Sequence, residues 1–372
     1  MASTKRKKVL ISGASIAGLS MAFQMNKAGY QVTIVELAEA PRTGGTAVDF
    51  RGPAVGIVKH MGIFEQLKSN ALQLERIEFK NSDDVTENSM LPANNKEEQT
   101  GDEIEIERTA VINILFNQIK DDVTFIFNDS IATLTETPDH ITAAFNNSPA
   151  APFDLVIGCD GTHSNVRKIW FGEEAAYTHF LDAYFSISII NKSLIPPNTM
   201  QFYNVPGKAY MLNAYKDKTD IVFCFHADND IPYDYRNTVQ QKQITLDQFA
   251  GHGWRTAALL QEIAHSDNFY FDKFCQIKMP SWTKGRVALT GDAAYCASPA
   301  AGTGGSLAVQ GPAALAEALV KHGENFEAAF AEYNKNLRPF IEAVQADAEL
   351  NVREHFILRT EEAIRRRNAE GF

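Results

Sequence analysis

Paired cysteines are missing from this chain. Its four cysteines, Cys159, Cys224, Cys275 and Cys296, are widely spaced, and no two form a CxxC pair. Neither a disulfide framework nor a zinc site fits that spacing, so reduced thiols and no metal are expected. Positive charge is also short: 35 Lys and Arg against 46 Asp and Glu give a formal charge of −11. Binders of nucleic acid or anionic membrane need a basic surface, which argues against both partners. No apolar run is long enough to span a bilayer, and there is no internal repeat or low-complexity tract.

What remains is an ordinary globular composition over 372 residues, 45% hydrophobic and 22% charged, enough for a large core and two domains. Lys5-Arg6-Lys7-Lys8 ahead of Val9 to Met25 has the charged and apolar parts of a signal peptide. Gly13, Ser15 and Gly18 break that apolar part at motif spacing, however, and it leads into a strand ending at Glu36. A dinucleotide-binding unit explains these details and export does not, so a soluble, cytoplasmic protein is expected.

Residues 9–36 read as a βαβ unit. Val9-Leu10-Ile11 is a buried strand, Gly13-Ala14-Ser15-Ile16-Ala17-Gly18 the turn, and Leu19, Ala22, Phe23 and Met25 lie on a helix that Gly29 ends. Gln31 to Glu36 is the second strand. The turn matches G-x-G-x-x-G with Ser15 for the second glycine. Gly13 permits the tight turn and Gly18 the close helix–strand contact. Glu36 is placed to accept from ribose hydroxyls and opposes a 2′-phosphate, which favours FAD or NAD over NADP as resident nucleotide. Without Glu36 the motif would fit a non-binding βαβ unit equally well.

Arg42 to Asp49 is a glycine-containing loop before a helix from Gly52 to Met61, and residues 81–102 read as a polar, solvated excursion between strands. Glu105-Ile106-Glu107-Arg108 leads into a helix with Val111, Ile114, Leu115 and Ile119 on its apolar positions. Arg108 at its mouth suits either a phosphate or open solvent. Short strands follow at Val123–Phe127, Ile131–Glu136 and His140–Phe145. A buried strand then ends in Asp160-Gly161, and Ser164 caps the next helix. From about Ala176 to Lys278 the apolar runs become short and aromatic, the texture of a mostly antiparallel sheet. Val287-Ala288-Leu289, Gly291-Asp292 and a small-residue loop to Gly304-Gly305 form a strand, an acidic turn and a helix start, which can offer free N–H groups to an anionic or polar ligand. Taken alone it is equally a strand-to-helix connection. Phe326 to Asn368 reads as helical with a kink near Pro339. Its closing Arg365-Arg366-Arg367 complements a helix C-terminus.

GASIAG with Glu36, then Asp160-Gly161, then Gly291-Asp292 with its Pro- and Gly-rich loop, stand in a fixed order that resembles the group A flavoprotein monooxygenases, the para-hydroxybenzoate hydroxylase-like FAD enzymes. The short length, the Arg-Thr-Gly-Gly-Thr loop and the Glu-Ile-Glu-Arg segment look most like the tetracycline-inactivating members. The resemblance implies an α/β fold. A Rossmann-like FAD-binding domain with a mixed parallel sheet would take residues 1–75, 101–175 and 279–345. An inserted, mostly antiparallel substrate domain would take 76–100 and 176–278, and a C-terminal helix 346–372. It also implies FAD as cofactor, with Gly13, Ser15, Ile16, Ala17, Gly18 and Glu36 on the ADP half and Arg42 in the same set. Arg108 would lie near the ribityl–pyrophosphate, and Asp160 and Gly161 would meet both FAD and NAD(P)H. Asp292 would hold the ribityl or pyrophosphate region, with Pro299, Gly302, Gly304 and Gly305 beside the isoalloxazine.

By the same resemblance, NADPH or NADH is the transient reductant and O₂ the co-substrate. An aromatic, phenolic or polyketide-like substrate, tetracycline among the candidates, would be hydroxylated through a flavin C4a-hydroperoxide. No catalytic side chain stands out. Gln201, Tyr203, Tyr210, Phe225 and His226 are the expected substrate contacts, and a monomer or weak homodimer the expected state. The sequence departs from the family pattern at Ser15, at Leu37 after Glu36, and at Tyr295 where histidine is common, so a flavin or substrate contact near Tyr295 could differ. A flavin-dependent dehydrogenase and a non-catalytic flavin-binding redox protein are the alternatives. The Trp-x-Trp-x-Ile-Pro motif of flavin-dependent halogenases is absent.

Overall fold

A computed structural model describes residues 6–41, 44–91 and 102–371. The apolar run Val9-Leu10-Ile11 lies in a strand, Lys8–Ser12, flanked on both sides by parallel partners. Gln31–Val35 pairs on one side and Leu155–Gly158 on the other. Val287–Leu289 and Thr124–Ile126 extend the parallel run, and the antiparallel Thr283–Lys284 completes six strands. Helices cover this sheet, and the inner strands are apolar at nearly every position for that reason. The first covering helix is Ile16–Lys27, packed beside Gly304–His322.

The second sheet has seven strands, in the order Phe269–Ile277, Thr178–Ile190, Lys218–His226, Lys208–Tyr215, Thr199–Val205, Arg76–Lys80 and Thr86–Met90. All pairings are antiparallel except that of Arg76–Lys80 with Thr199–Val205. The polar excursion expected at 81–102 therefore contains an edge strand, Thr86–Met90, paired with Arg76–Lys80. Its residues are mostly exposed, so pairing rests on the backbone and leaves no apolar alternation to read. Asn94 to Gln99 lie outside the described residues.

Alternate side chains of this sheet point to opposite faces. Helices Thr238–Phe249 and Thr256–His265, which the sequence reading did not separate from the sheet, cover the face carrying Tyr184, Tyr210, Phe223, Phe225 and Phe271. The opposite face carries Phe185, Ala209, Cys224 and Phe274, and packs on Ala300 of the loop after Val287–Leu289. A two-stranded sheet, Ala47–Phe50 with Ile104–Glu107, lies beside the N-terminal end of Gly304–His322.

The C-terminal region differs from a single helical run. Phe326–Asn351 continues through Pro339, a π turn spans Val352–Phe356, and a separate helix, Glu361–Glu370, starts at Thr360, whose Oγ1 accepts from Ala363 N–H. Arg367 does not serve as a solvated helix-end charge. It is buried, donates to the Asn204 side chain and to the His355 carbonyl, and lies 4.9 Å from the Phe79 ring centroid. Burial lowers its pKa to about 10, so it stays cationic at neutral pH while tying the tail to the seven-stranded sheet.

Tyr295 proves to be a core residue. It is 1% exposed, its hydroxyl lies 2.9 Å from Thr290 Oγ1 and accepts from Tyr333, and its ring meets Trp282 edge-on. Helix Gly304–His322 passes over it at Gly311, where an added Cβ would stand 1.7 Å from the Tyr295 oxygen. That contact requires glycine. Gly311→Ala should lower the unfolding free energy by about 1–3 kcal/mol, the usual cost of overpacking. In Tyr295→Phe the same substitution should cost less, as a double-mutant cycle in urea would measure.

Candidate functional site

The turn after Lys8–Ser12 is tight because two glycines allow it. Gly13 has φ +100°, and a Cβ there would stand 2.7 Å from the Cys159 carbonyl oxygen; one at Gly18 would stand 1.9 Å from the Gly13 carbonyl oxygen. The turn, the start of helix Ile16–Lys27 and the end of strand Leu155–Gly158 are thus pressed together. Ser15 occupies the N-cap position but no side-chain cap bond is made, which leaves the first-turn N–H groups of Ile16, Ala17 and Gly18 for a ligand. Glu36 accepts from Ala14 N–H at 2.7 Å and Ala38 N–H at 2.9 Å, bracing the second strand against this turn.

Arg108 joins three separated segments. It opens helix Arg108–Ile119 and donates from Nη2 to Ser15 Oγ at 2.8 Å. It also lies under Gly45, where a Cβ would come within 3.0 Å of Nη1, and its charge lowers the pKa of Asp292. The loop above it is held by Gly44 N–H, which donates to Thr109 Oγ1. Arg42 lies outside the described residues.

Asp292 begins a short helix, Asp292–Tyr295, that Gly291 brings against Ala17. Its side chain is solvent-accessible, yet protein crowds it enough that desolvation raises its pKa against the pull of Arg108 and a hydrogen bond from Cys296. Beyond Asp292, Ser298 has φ +83° and ψ +148°, backbone space that is nearly glycine's alone, so strain is stored at this loop. Pro299 opens a one-turn helix that Gly302 ends in the left-handed region. At Gly304 a Cβ would meet nothing within 4 Å, whereas at Gly305 it would strike Val48 and the Asp49 carbonyl. Gly304 therefore leaves open space, and Gly305 is required for packing.

Asp160 holds its own turn. Ser164 Oγ donates to it at 2.5 Å, Val166 N–H at 3.0 Å and Ser12 Oγ at 3.2 Å; burial raises its pKa and these bonds lower it. Gly161 beside it has φ +82°. Three residues on stands a group the sequence reading missed. His163 is bonded to Glu174 and to Asp272 of strand Phe269–Ile277, and stacks on Tyr235 at 4.7 Å. Burial lowers its pKa, but the two carboxylates outweigh that and push it up to about 9, so His163 is cationic at neutral pH. Its place after Asp160-Gly161 was the available signal. Asp49 was missed too: burial raises its pKa, and its Oδ1 is buried without a hydrogen-bond partner.

The expected substrate contacts divide by strand parity. Tyr203, Tyr210 and Phe225 belong to the aromatic cluster under the two covering helices. Gln201 alternates with Phe202 onto that same face and donates to Glu78. All four are thus core residues on the side away from Ala300. His226 has the other parity and stands at the rim, bonded to the Asp182 carbonyl, to Asp228 and to Arg359. The face toward the loop presents Phe185, Ile187, Met211 and Val222 instead, alternation that sequence cannot orient by itself. Among the described residues no group of side chains suits a metal ion, and no helix is long and apolar enough to cross a membrane.

Comparison with known proteins identifies the family. A family model described as an FAD binding domain matches residues 6–348. A flavin-dependent monooxygenase from an unknown prokaryotic organism is 36% identical over 91% of this chain and 88% of its own length. One from Legionella longbeachae is 34% identical over 92% and 88%. Among solved structures, the tetracycline destructase Tet(51) superposes with TM-score 0.87 at 32% identity, covering 98% of this chain and 95% of that one. An HpxO structure from Klebsiella pneumoniae with FAD and uric acid, at 19% identity and TM-score 0.76, shares the fold. With its FAD-binding fold and these relatives across nearly its whole length, the chain belongs to the FAD-binding family of flavin-dependent monooxygenases, close to the tetracycline destructases.

Proposed function

We propose that this protein uses NADPH or NADH and O₂ to hydroxylate an aromatic, phenolic or polyketide-like substrate, with tetracyclines the first class to test. The observation that carries the reading is Arg108, which links the Ser15 turn and the Gly44-Gly45 loop and acts on Asp292. A dinucleotide needs donors for its pyrophosphate and acceptors for its hydroxyls. The free N–H groups at Ile16 to Gly18 and the Arg108 guanidinium offer the first. Glu36 and Asp292 offer the second. Gly302 and Gly304 give a flat ring an approach without a Cβ.

FAD, held by the Ser15 turn, Arg108 and Asp292, would supply the redox chemistry that couples oxidation of NAD(P)H to reduction of O₂, with one oxygen atom going to the substrate and the other to water. The chain's own part is to position and to shield. The N-terminus of helix Gly304–His322 would place positive potential beside the ring, where reduction adds negative charge. Residues 76–100 and 176–278, which include the strands of the seven-stranded sheet, are assigned to substrate binding, and the parallel sheet with its helices to the cofactor. The substrate wall is the apolar face with Ile187, Met211 and Val222, opposite the loop that carries Ala300. A cytoplasmic pool of reduced nicotinamide is the natural reductant source. The destructase relatives motivate tetracycline as a first substrate.

Two measurements test this. Purified protein with FAD should oxidise NADPH or NADH faster when a tetracycline or phenol is present, and mass spectrometry under ¹⁸O₂ should find one labelled oxygen in the product. Reduced nicotinamide consumed with no labelled product from any member of the panel would favour a dehydrogenase. On the wall, Val222→Phe should raise KM or change the substrate range at nearly unchanged stability. Phe225→Leu, on the helix-covered face, should leave KM unchanged and lower stability by about 1 kcal/mol.

A further inference from the structure

A seam of carboxyl groups joins the two-stranded sheet to the seven-stranded one. Asp49 and Glu105 stand directly opposite each other in the antiparallel register, so both side chains leave on one face. Across from them the hairpin of Lys208–Tyr215 and Lys218–His226 brings Asp220, whose charge acts on Glu105. Like charges so placed repel unless something neutralises them.

The nearby lysines are engaged elsewhere, and Arg51 meets only Asp49 of the three. Lys216 and Lys218 at the hairpin tip both donate to Glu107, at 2.5 and 2.7 Å. Arg51 reaches Asp49 at 3.2 Å and Glu103 at 3.9 Å. Among the described residues no cation comes within ion-pair distance of Glu105 or Asp220. Asp220 is 1% exposed; its Oδ1 accepts from Tyr215 O–H at 2.8 Å and its Oδ2 has no partner. The buried Oδ1 of Asp49 has none either. A buried acceptor left unmet costs about 1–3 kcal/mol. Two such acceptors beside a third carboxyl group lack a donor, and a hydrogen on one of the carboxyls would supply it.

We propose that Asp49, Glu105 and Asp220 bind one shared proton at neutral pH, which holds the substrate-side hairpin against the strand next to the helix Gly304–His322. The electrostatics support it. Burial, with Asp49 and Asp220 adding and Arg51 opposing, raises Glu105 to about 7. Burial also raises Asp220 to about 7, opposed by the Tyr215 hydrogen bond and Lys218 and reinforced by Glu107. Asp49 moves the same way, by burial and Glu103 against Arg51. Groups coupled this closely titrate as a unit.

The sign of the linkage follows. Each folded pKa lies above its unfolded value, so the folded state holds more protons between them. The stabilisation is full below the ordinary carboxylate range, falls as pH rises toward 7, and is gone above it. Removing the proton adds negative charge at the seam and pushes the hairpin away.

Urea unfolding of the apoprotein between pH 5.5 and 8.5 tests the site independently of cofactor or activity. Glu105→Gln carries a permanent donor and no charge, and Asp220→Asn does the same at the other side of the seam. Each variant should gain on the wild type as pH rises, its relative folding constant improving by about tenfold across that range, since one pKa unit is tenfold. Should one variant fail to fold, the other decides. Parallel stability curves for wild type and variant would overturn the proposal. So would a wild-type gain that follows Na⁺ or NH₄⁺ concentration in place of pH, which would put a cation where the proton is placed.

Discussion

The contact between Arg108 and Ser15 Oγ closes the architecture on itself. Ser15 belongs to the turn of the first βαβ unit, Arg108 to the mouth of a helix more than ninety residues later, and Asp292 to a strand end almost two hundred residues further on. A guanidinium presents several donors in a fixed plane, so one side chain can set the distance between segments that the backbone alone would leave loose. The glycines make the approach possible. Gly13 and Gly18 let the turn press on Cys159, Gly45 lies over the guanidinium, and Gly291 lets Asp292 come up against Ala17. Larger side chains at these points would hold the three segments apart.

The second constraint is that each sheet has two faces with different tasks. In the parallel sheet both are covered, and the glycine turn lies at the end of a central strand. In the seven-stranded sheet two helices seal one face with aromatics, leaving the other to look toward the Ser298–Gly304 loop. The tail contributes as well. Arg367, buried between the last helix and Asn204, ties that helix to strand Thr199–Val205, and His226 at the sheet's rim is held by Arg359. The seven-stranded sheet is thus braced by the C-terminal helix.

Much of the parallel unit was legible because its signals are local. A glycine turn, an apolar run and an acid at a set spacing need no knowledge of the rest of the chain. The seven-stranded sheet was legible as a texture but not as a surface. Tyr203, Tyr210 and Phe225 look like ligand contacts because they are aromatic, and their being core follows from helices Thr238–Phe249 and Thr256–His265, whose packing side no pattern in the strands reveals. Tyr295 was left without a role, and Arg367 was misread, for a similar reason. Each takes its role from a long-range neighbour, Gly311 in one case and Asn204 in the other. Asp49, Glu105 and Asp220 come from three strands, and only the folded chain sets their charges together.

The central claim, that the residues around Arg108 bind FAD, is tested most directly by titrating the apoprotein with FAD and following the quenching of flavin fluorescence. The account predicts tight, saturable binding by wild type. In Arg108→Ala, affinity should weaken by about tenfold to a hundredfold, the range for a lost charge-assisted contact, while the far-UV circular dichroism is unchanged. Equal affinity in wild type and Arg108→Ala, or no binding by the folded wild type, would contradict it.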